Sequence, residues 1–251
     1  MTTLPATDAS RVPARESSRV LAVTRLHFVR RLGLLVVPLI ITVVVVLVTI
    51  VIQIAIQRAM AATPEDFAPG ARMNPAVAWA QSGYFIALGV STVATAFPLA
   101  ASLGTTRRDF ALGTTLAHLL ASLYITAVFV ALLGIELVTD HWFGGFYVFD
   151  VDLLGAGDPV RFVATVFVGS LLCFSIGSVF GASWLRFGPR GPLAISLGTA
   201  LVLAGGVLLA VPSFGALAEA FRPWWVAVAA VALIALSIGG TFAFLRRASA
   251  R

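Results

Sequence analysis

The chain of 251 residues has no lysine and a single cysteine. A Walker-type phosphate loop, Gly-x4-Gly-Lys-Ser/Thr, needs the lysine, so the chain carries no P-loop ATPase of its own. One cysteine permits no internal disulfide. Cys173 lies between Leu172 and Phe174 in a long apolar run, where it reads as a buried, inert thiol. His-Glu-x2-His and paired-cysteine spacings are missing too, which removes the common zinc patterns. Charge is scarce, at 11% of residues, and nearly absent from the long apolar runs. Ion-driven pumps keep ionisable side chains inside the membrane to hold the coupling ion. A proton- or sodium-coupled transporter is therefore disfavoured, and the chain shows no energy source of its own.

Hydrophobic residues make up 59% of the chain, and its mean hydropathy is +1.00. Crossing about 30 Å of hydrocarbon at 1.5 Å per residue takes about 20 mostly apolar residues. Six segments meet that requirement: Gly33–Gln57, Ala76–Leu103, Ala111–Val138, Arg161–Leu185, Pro192–Val211 and Pro223–Leu245. The expectation is an all-α integral membrane protein with one six-helix transmembrane domain over residues 14–251. Residues 1–13, with two prolines and few large apolar side chains, are expected to form a disordered tail. Over residues 14–32 Arg alternates with Val20, Leu21, Val23, Leu26 and Phe28 without a clean stripe. This reads as a basic N-terminal interfacial helix under anionic headgroups. Arg30-Arg31 ahead of an apolar run mimics a signal peptide, but the run far exceeds the roughly 7–15 residues of a signal core and reads as a retained first helix.

All 17 basic residues are Arg. With the N-terminus in the cytoplasm, Arg11, Arg15, Arg19, Arg25, Arg30, Arg31, Arg107, Arg108, Arg186, Arg190, Arg246, Arg247 and Arg251 fall inside. Only Arg58, Arg72, Arg161 and Arg222 fall outside, so the positive-inside rule predicts both termini cytoplasmic in a multi-pass protein of the plasma (inner) membrane. Glu65, Asp66, Glu136, Asp140, Asp150, Asp152, Asp158 and Glu219 then lie outside. The net charge of +6 is thus a topology signal, and no nucleic-acid partner is expected.

The first span is nearly pure Val, Ile and Leu until Gln53, and is expected to meet lipid over much of its surface. Pro64, Pro69 and Pro75 make the following link irregular rather than helical throughout. The second span carries a polar face of Gln81, Ser82, Ser91, Thr92 and Thr95, and Pro98 near its inner end predicts a kink. His118 in the third span has no intramembrane carboxylate and reads as a hydrogen-bonded packing residue. Trp142, Phe143, Phe146 and Tyr147, in the longest external loop, suit the outer headgroup layer or a lid over an exit path. Glu136, Asp140, Asp150, Asp152 and Asp158 around them lack the spacing of a cation loop and read as a solvated acidic rim. Gly177 and Gly181 in the fourth span, and Gly198, Gly205 and Gly206 in the fifth, mark close-packing faces, within the subunit or toward a second copy. Gly181-Ala-Ser-Trp184 lacks the glycine that follows the serine in rhomboid proteases, so no catalytic residue is assigned and no enzyme is expected.

Between the second and third spans runs Phe97-Pro-Leu-Ala-Ala-Ser-Leu-Gly-Thr-Thr-Arg-Arg-Asp-Phe-Ala-Leu-Gly113, a short basic turn on the side that the arginines mark as cytoplasmic. With six spans and a basic lead-in helix, this segment resembles the coupling loop of ATP-binding-cassette type-2 superfamily export permeases. The resemblance extends over most of the chain in layout and is sharp over Phe97–Gly113. It implies a permease subunit that moves an amphipathic substrate outward, such as a drug, peptide, antibiotic or lipid. It also implies a second copy of the chain and a separate cytoplasmic ATPase that binds the ATP and Mg, with no cofactor on this chain. Leu103, Gly104, Thr105, Thr106, Arg107, Arg108, Asp109 and Phe110 would then form the coupling helix. Gly104 would allow the tight entry, Thr105 would cap the helix, Arg107 and Arg108 would meet acidic groups of the ATPase, and Phe110 would anchor in its groove. The longest external loop here joins spans three and four, whereas that family often places a re-entrant element between spans five and six. A membrane scaffold or sensor that binds another cytoplasmic partner is the alternative.

Overall fold

The computed structural model describes residues 12–29, 32–61 and 63–247, and the described residues contain helices and no strand. Six helical segments are long and apolar enough to cross a membrane. In chain order the helices are α1 (Val12–Val29), α2 (Val37–Met60), α3 (Pro64–Arg72), α4 (Ala76–Ser102), α5 (Arg107–Val138), α6 (Pro159–Phe187), α7 (Arg190–Ala210), α8 (Phe214–Ala220) and α9 (Trp224–Arg246). The expectation of a disordered tail falls, for residues 1–11, outside the described residues.

The tightest seam joins α4 to α6. A Cβ on Gly177 would sit 2.2 Å from the Ile86 carbonyl oxygen, and one on Gly89 would sit 2.4 Å from that of Phe174. Only hydrogen at these positions lets the two backbones meet, which is the use of small residues between membrane helices. Phe85 and Phe174 pack beside the seam with ring centroids 5.0 Å apart. Gly177 and Gly181 of the fourth span therefore face inward, against α4. Those of the fifth span do not: Gly198, Gly205 and Gly206 have open space around them, and nearly all of α7 is exposed.

The join between α1 and α2 is a π-helical turn, Leu32–Val36, followed by Pro38. A wider turn and a proline both leave carbonyls without helical partners. Side chains from neighbouring spans donate to carbonyls along this stretch. Tyr84 Oη donates to the Gly33 carbonyl (2.7 Å), Tyr124 Oη to that of Leu35 (3.3 Å), and Gln81 Nε2 to that of Pro38 (2.8 Å). Beyond this point α2 splits by face. Thr42, Val46, Thr49 and Gln53 are buried, while Val43, Leu47, Val48 and Val51 lie on the open side that lipid would cover.

Two expectations change. The proline-rich link contains a nine-residue helix, α3, because Pro64 occupies its first turn, where no amide donor is needed, and Thr63 caps it by accepting from the Asp66 amide. The basic lead-in does not lie free beneath the bundle. Val23, Thr24 and His27 are buried on α5, where Thr24 Oγ1 donates to the Gly113 carbonyl (3.1 Å) and a Cβ on Gly113 would strike Val23. The apolar residues of α1 form no clean stripe because some face protein and others face outward.

Candidate functional site

The turn between α4 and α5 is built by two opposed caps. At the end of α4, Gly104 adopts φ +77°, and the amides of Thr105 and Gly104 bond back to the carbonyls of Ala100 and Ala101, both at 3.0 Å. This is the glycine-closed helix end that lets the chain reverse. Two residues later Thr106 Oγ1 accepts from the Asp109 amide (3.1 Å), so α5 begins at Arg107. The capping residue is Thr106, not Thr105, and there is no separate short helix: Arg107–Phe110 is the first turn of α5.

This register sorts the eight expected residues. Leu103, Gly104, Thr106, Arg107 and Arg108 are exposed and Thr105 is half-buried, whereas Asp109 and Phe110 are buried. Phe110 is only 1% exposed and meets Phe97 (5.2 Å) and His27 (5.9 Å) edge-on, so it anchors the chain's own core and is not available to a partner's groove. Arg107 donates to the carbonyl of Arg246 at the end of α9, where a cation complements the helix dipole. His27 closes the same core through Thr114 Oγ1 (3.0 Å), and burial lowers its pKa from 6.5 to about 4, which keeps the imidazole neutral.

At the opposite end the acidic rim is solvated only in part: Asp140, Asp152 and Asp158 are exposed, but Glu136 and Asp150 are not. Glu136 is fully buried, and its two oxygens accept four N–H groups. Oε1 takes the amides of Val148 and Asp150, both at 3.1 Å, while Oε2 takes that of Phe149 (2.8 Å) and the Trp142 indole (3.0 Å). Asp150 is buried as well, with Oδ2 at 2.8 Å from Arg72 Nη2 and 3.1 Å from His141 Nε2. The Tyr147 ring lies 4.2 Å from His141 and under the Arg72 guanidinium at 4.9 Å. The Gln53 amide grips the Tyr147 backbone from both sides, accepting from its N–H (3.0 Å) and donating to its carbonyl (2.6 Å). Four non-glycine residues, Asp140–Phe143, hold φ between 50° and 61°, at roughly 1–2 kcal/mol each. The carboxylate network offsets that strain.

Of the four aromatics expected on the exit side, Trp142 and Tyr147 thus belong to the network, Phe146 is half-buried, and Phe143 alone points outward, 87% exposed. Sequence reasoning missed Arg72, Gln53 and Glu136 as one constellation. The available signal was an acid at the last turn of a span, followed within a loop's reach by an aromatic run.

Midway through the bundle His118 is buried between three spans. Nε2 lies 3.1 Å from Thr92 Oγ1, Nδ1 lies 3.4 Å from Ser178 Oγ, and the ring stacks on Phe174. Among the described residues no cluster of His, Cys, Asp or Glu is arranged to hold a metal ion. Compared with models of known protein families, with curated proteins and with solved structures, the chain matches none.

Proposed function

We infer that this chain is the membrane-spanning permease subunit of an ATP-driven exporter for an amphipathic substrate, working with a cytoplasmic ATPase that holds the ATP and Mg. The observation that carries the reading is the α4–α5 turn. Its two adjacent arginines stand exposed on a rigid, doubly capped reversal whose second arm is a single helix reaching the outer cap. A force applied at Arg107 and Arg108 passes along α5 to Glu136 without a flexible joint. Rigid elements of this kind are what couple distant sites. The short apolar helix α8 lies between spans five and six, where the family resemblance implies a re-entrant element.

In this reading both termini are cytoplasmic, the protein resides in the plasma (inner) membrane, and the working unit contains two copies of the chain. The open face of α7, with its unpacked glycines, supplies surface for the second copy. The scaffold or sensor alternative draws support from one feature: Arg107–Phe110 continues into α5 and does not project as a free-standing docking helix. Mass photometry of the tagged chain purified with its native partners separates the two readings. Export predicts a particle with two 26.3 kDa chains and two ATPases. A single chain bound to a protein without ATPase activity favours the scaffold.

A further inference from the structure

Two adjoining cavities follow the seam between α1 and the inner half of α4. The larger, about 660 Å³, lies between Leu26, Leu34, Leu88 and Ala96, and its edge is formed by Val29, Leu32 and Leu99, each more than half exposed. That volume falls within the roughly 300–1,000 Å³ of ligand pockets. The smaller, about 310 Å³, shares Leu26 as a wall and continues to the Gly104–Thr105 turn, where Arg19 lines it. Among the described residues, one end of the groove is therefore basic and the other apolar.

The hydroxyls in the apolar part offer no free donor. Ser91 Oγ donates to the Leu88 carbonyl (2.9 Å), Thr92 Oγ1 to that of Gly89 (2.8 Å), and Thr95 Oγ1 to that of Ser91 (2.7 Å). His27 on the wall is turned to Thr114. A hydrocarbon chain fits such a lining better than a polar cargo does. The groove's length points the same way. From Leu88 to Leu103 is about 22 Å at roughly 1.5 Å per residue, close to half of a bilayer that measures about 40–45 Å with its headgroups. An exposed arginine at headgroup level and an apolar slot one leaflet deep match a lipid that enters sideways from the membrane.

We propose that the α1–α4 groove binds one anionic phospholipid of the leaflet next to the Gly104 turn, its phosphate at Arg19 and one acyl chain along Ala96 and Leu88. The site does not depend on export. The arginine topology enters only in naming that leaflet cytoplasmic.

The test uses the full chain reconstituted in nanodiscs with equal phosphatidylglycerol and phosphatidylcholine, released into mild detergent and weighed by native mass spectrometry. One phosphatidylglycerol per chain is expected, retained at least fivefold over phosphatidylcholine. Arg19→Gln should abolish that preference while leaving a chain bound. Ala96→Trp should remove the bound lipid, and Thr95→Phe, at the exposed edge, should remove it without entering packed structure. Helical content and melting temperature verify that each variant is folded. No retained lipid on the wild-type chain would overturn the proposal, as would equal retention of the two lipids. So would full retention in folded Thr95→Phe, or a second copy of the chain in place of the lipid.

Discussion

The two ends of α5 solve opposite problems. At the Glu136 end, Glu136 and Asp150 are buried, and both oxygens of Glu136 and Oδ2 of Asp150 meet donors from α3 and the loop 139–150. At the Gly104 end the turn is just as firmly built, by Gly104 and Thr106, but the Arg108 side chain makes no hydrogen bond or ion pair among the described residues and that of Arg107 makes one, to a carbonyl. A network that consumes its own charges stabilises a fold. A rigid turn that presents charges outward is built for contact. The two ends should therefore respond differently to substitution: stability at the Glu136 end, partner response at the Gly104 end.

The largest effect is expected at Glu136. Glu136→Ala leaves three buried amides and an indole without an acceptor, and unmet hydrogen bonds to a charged group cost roughly 1.5–3 kcal/mol each before relaxation. A loss of about 4 kcal/mol or more is expected, measured as a fall in the melting temperature of the purified chain. Glu136→Gln should recover part of it. An unshifted transition would show that loop 139–150 is held by something other than this carboxylate.

Next in size is the pH dependence set by His27. Its folded pKa of about 4 lies below the ordinary 6.5, so the unfolded state binds more protons between those values and stability must fall as pH drops through that window. At 1.36 kcal/mol per unit the full shift is worth on the order of 3 kcal/mol at pH 4, with no further loss below it. Thermal melts from pH 7.5 to 4 should show this contribution as a steeper fall in the wild type than in His27→Gln, where the buried His118 remains. The same slope in both would place the titrating group elsewhere. Gly177→Ala should cost less, about 2 kcal/mol, because the added methyl meets the Ile86 carbonyl and must push α4 from α6. Its control is Gly205→Ala, which meets open space within α7 and should be neutral to stabilising by up to about 1 kcal/mol in the same melt.

What the sequence made legible follows from range. Six spans could be read because run length against bilayer thickness is a local property, and all six of the corresponding helices begin within four residues of the expected starts. The Gly104 reversal was legible for the same reason. The cap was misplaced by one residue because Thr105 and Thr106 are chemically alike and only the register of the Asp109 amide separates them. The burial of Phe110 was not legible, since its partners Phe97 and His27 come from other elements. Glu136 was missed because its partners are chiefly backbone amides, 12 to 14 residues ahead, which carry no side-chain signature. The inward face of α1 depends on Gly113, 89 residues from Thr24.

The proposed coupling requires Arg107 and Arg108 to be chiefly a contact surface and not structural support. The direct measurement is how far the chain in nanodiscs stimulates the proposed partner ATPase for Arg107→Glu/Arg108→Glu, alongside the melting temperature of the isolated chain. Reversing two charges at a polar rim against an acidic partner should remove the stimulation. Exposed side chains with one internal hydrogen bond between them, at the end of α9, should leave the melting transition within about 1 kcal/mol of wild type. Full stimulation in the double variant, or lost stimulation with a collapsed melting transition, would contradict the account.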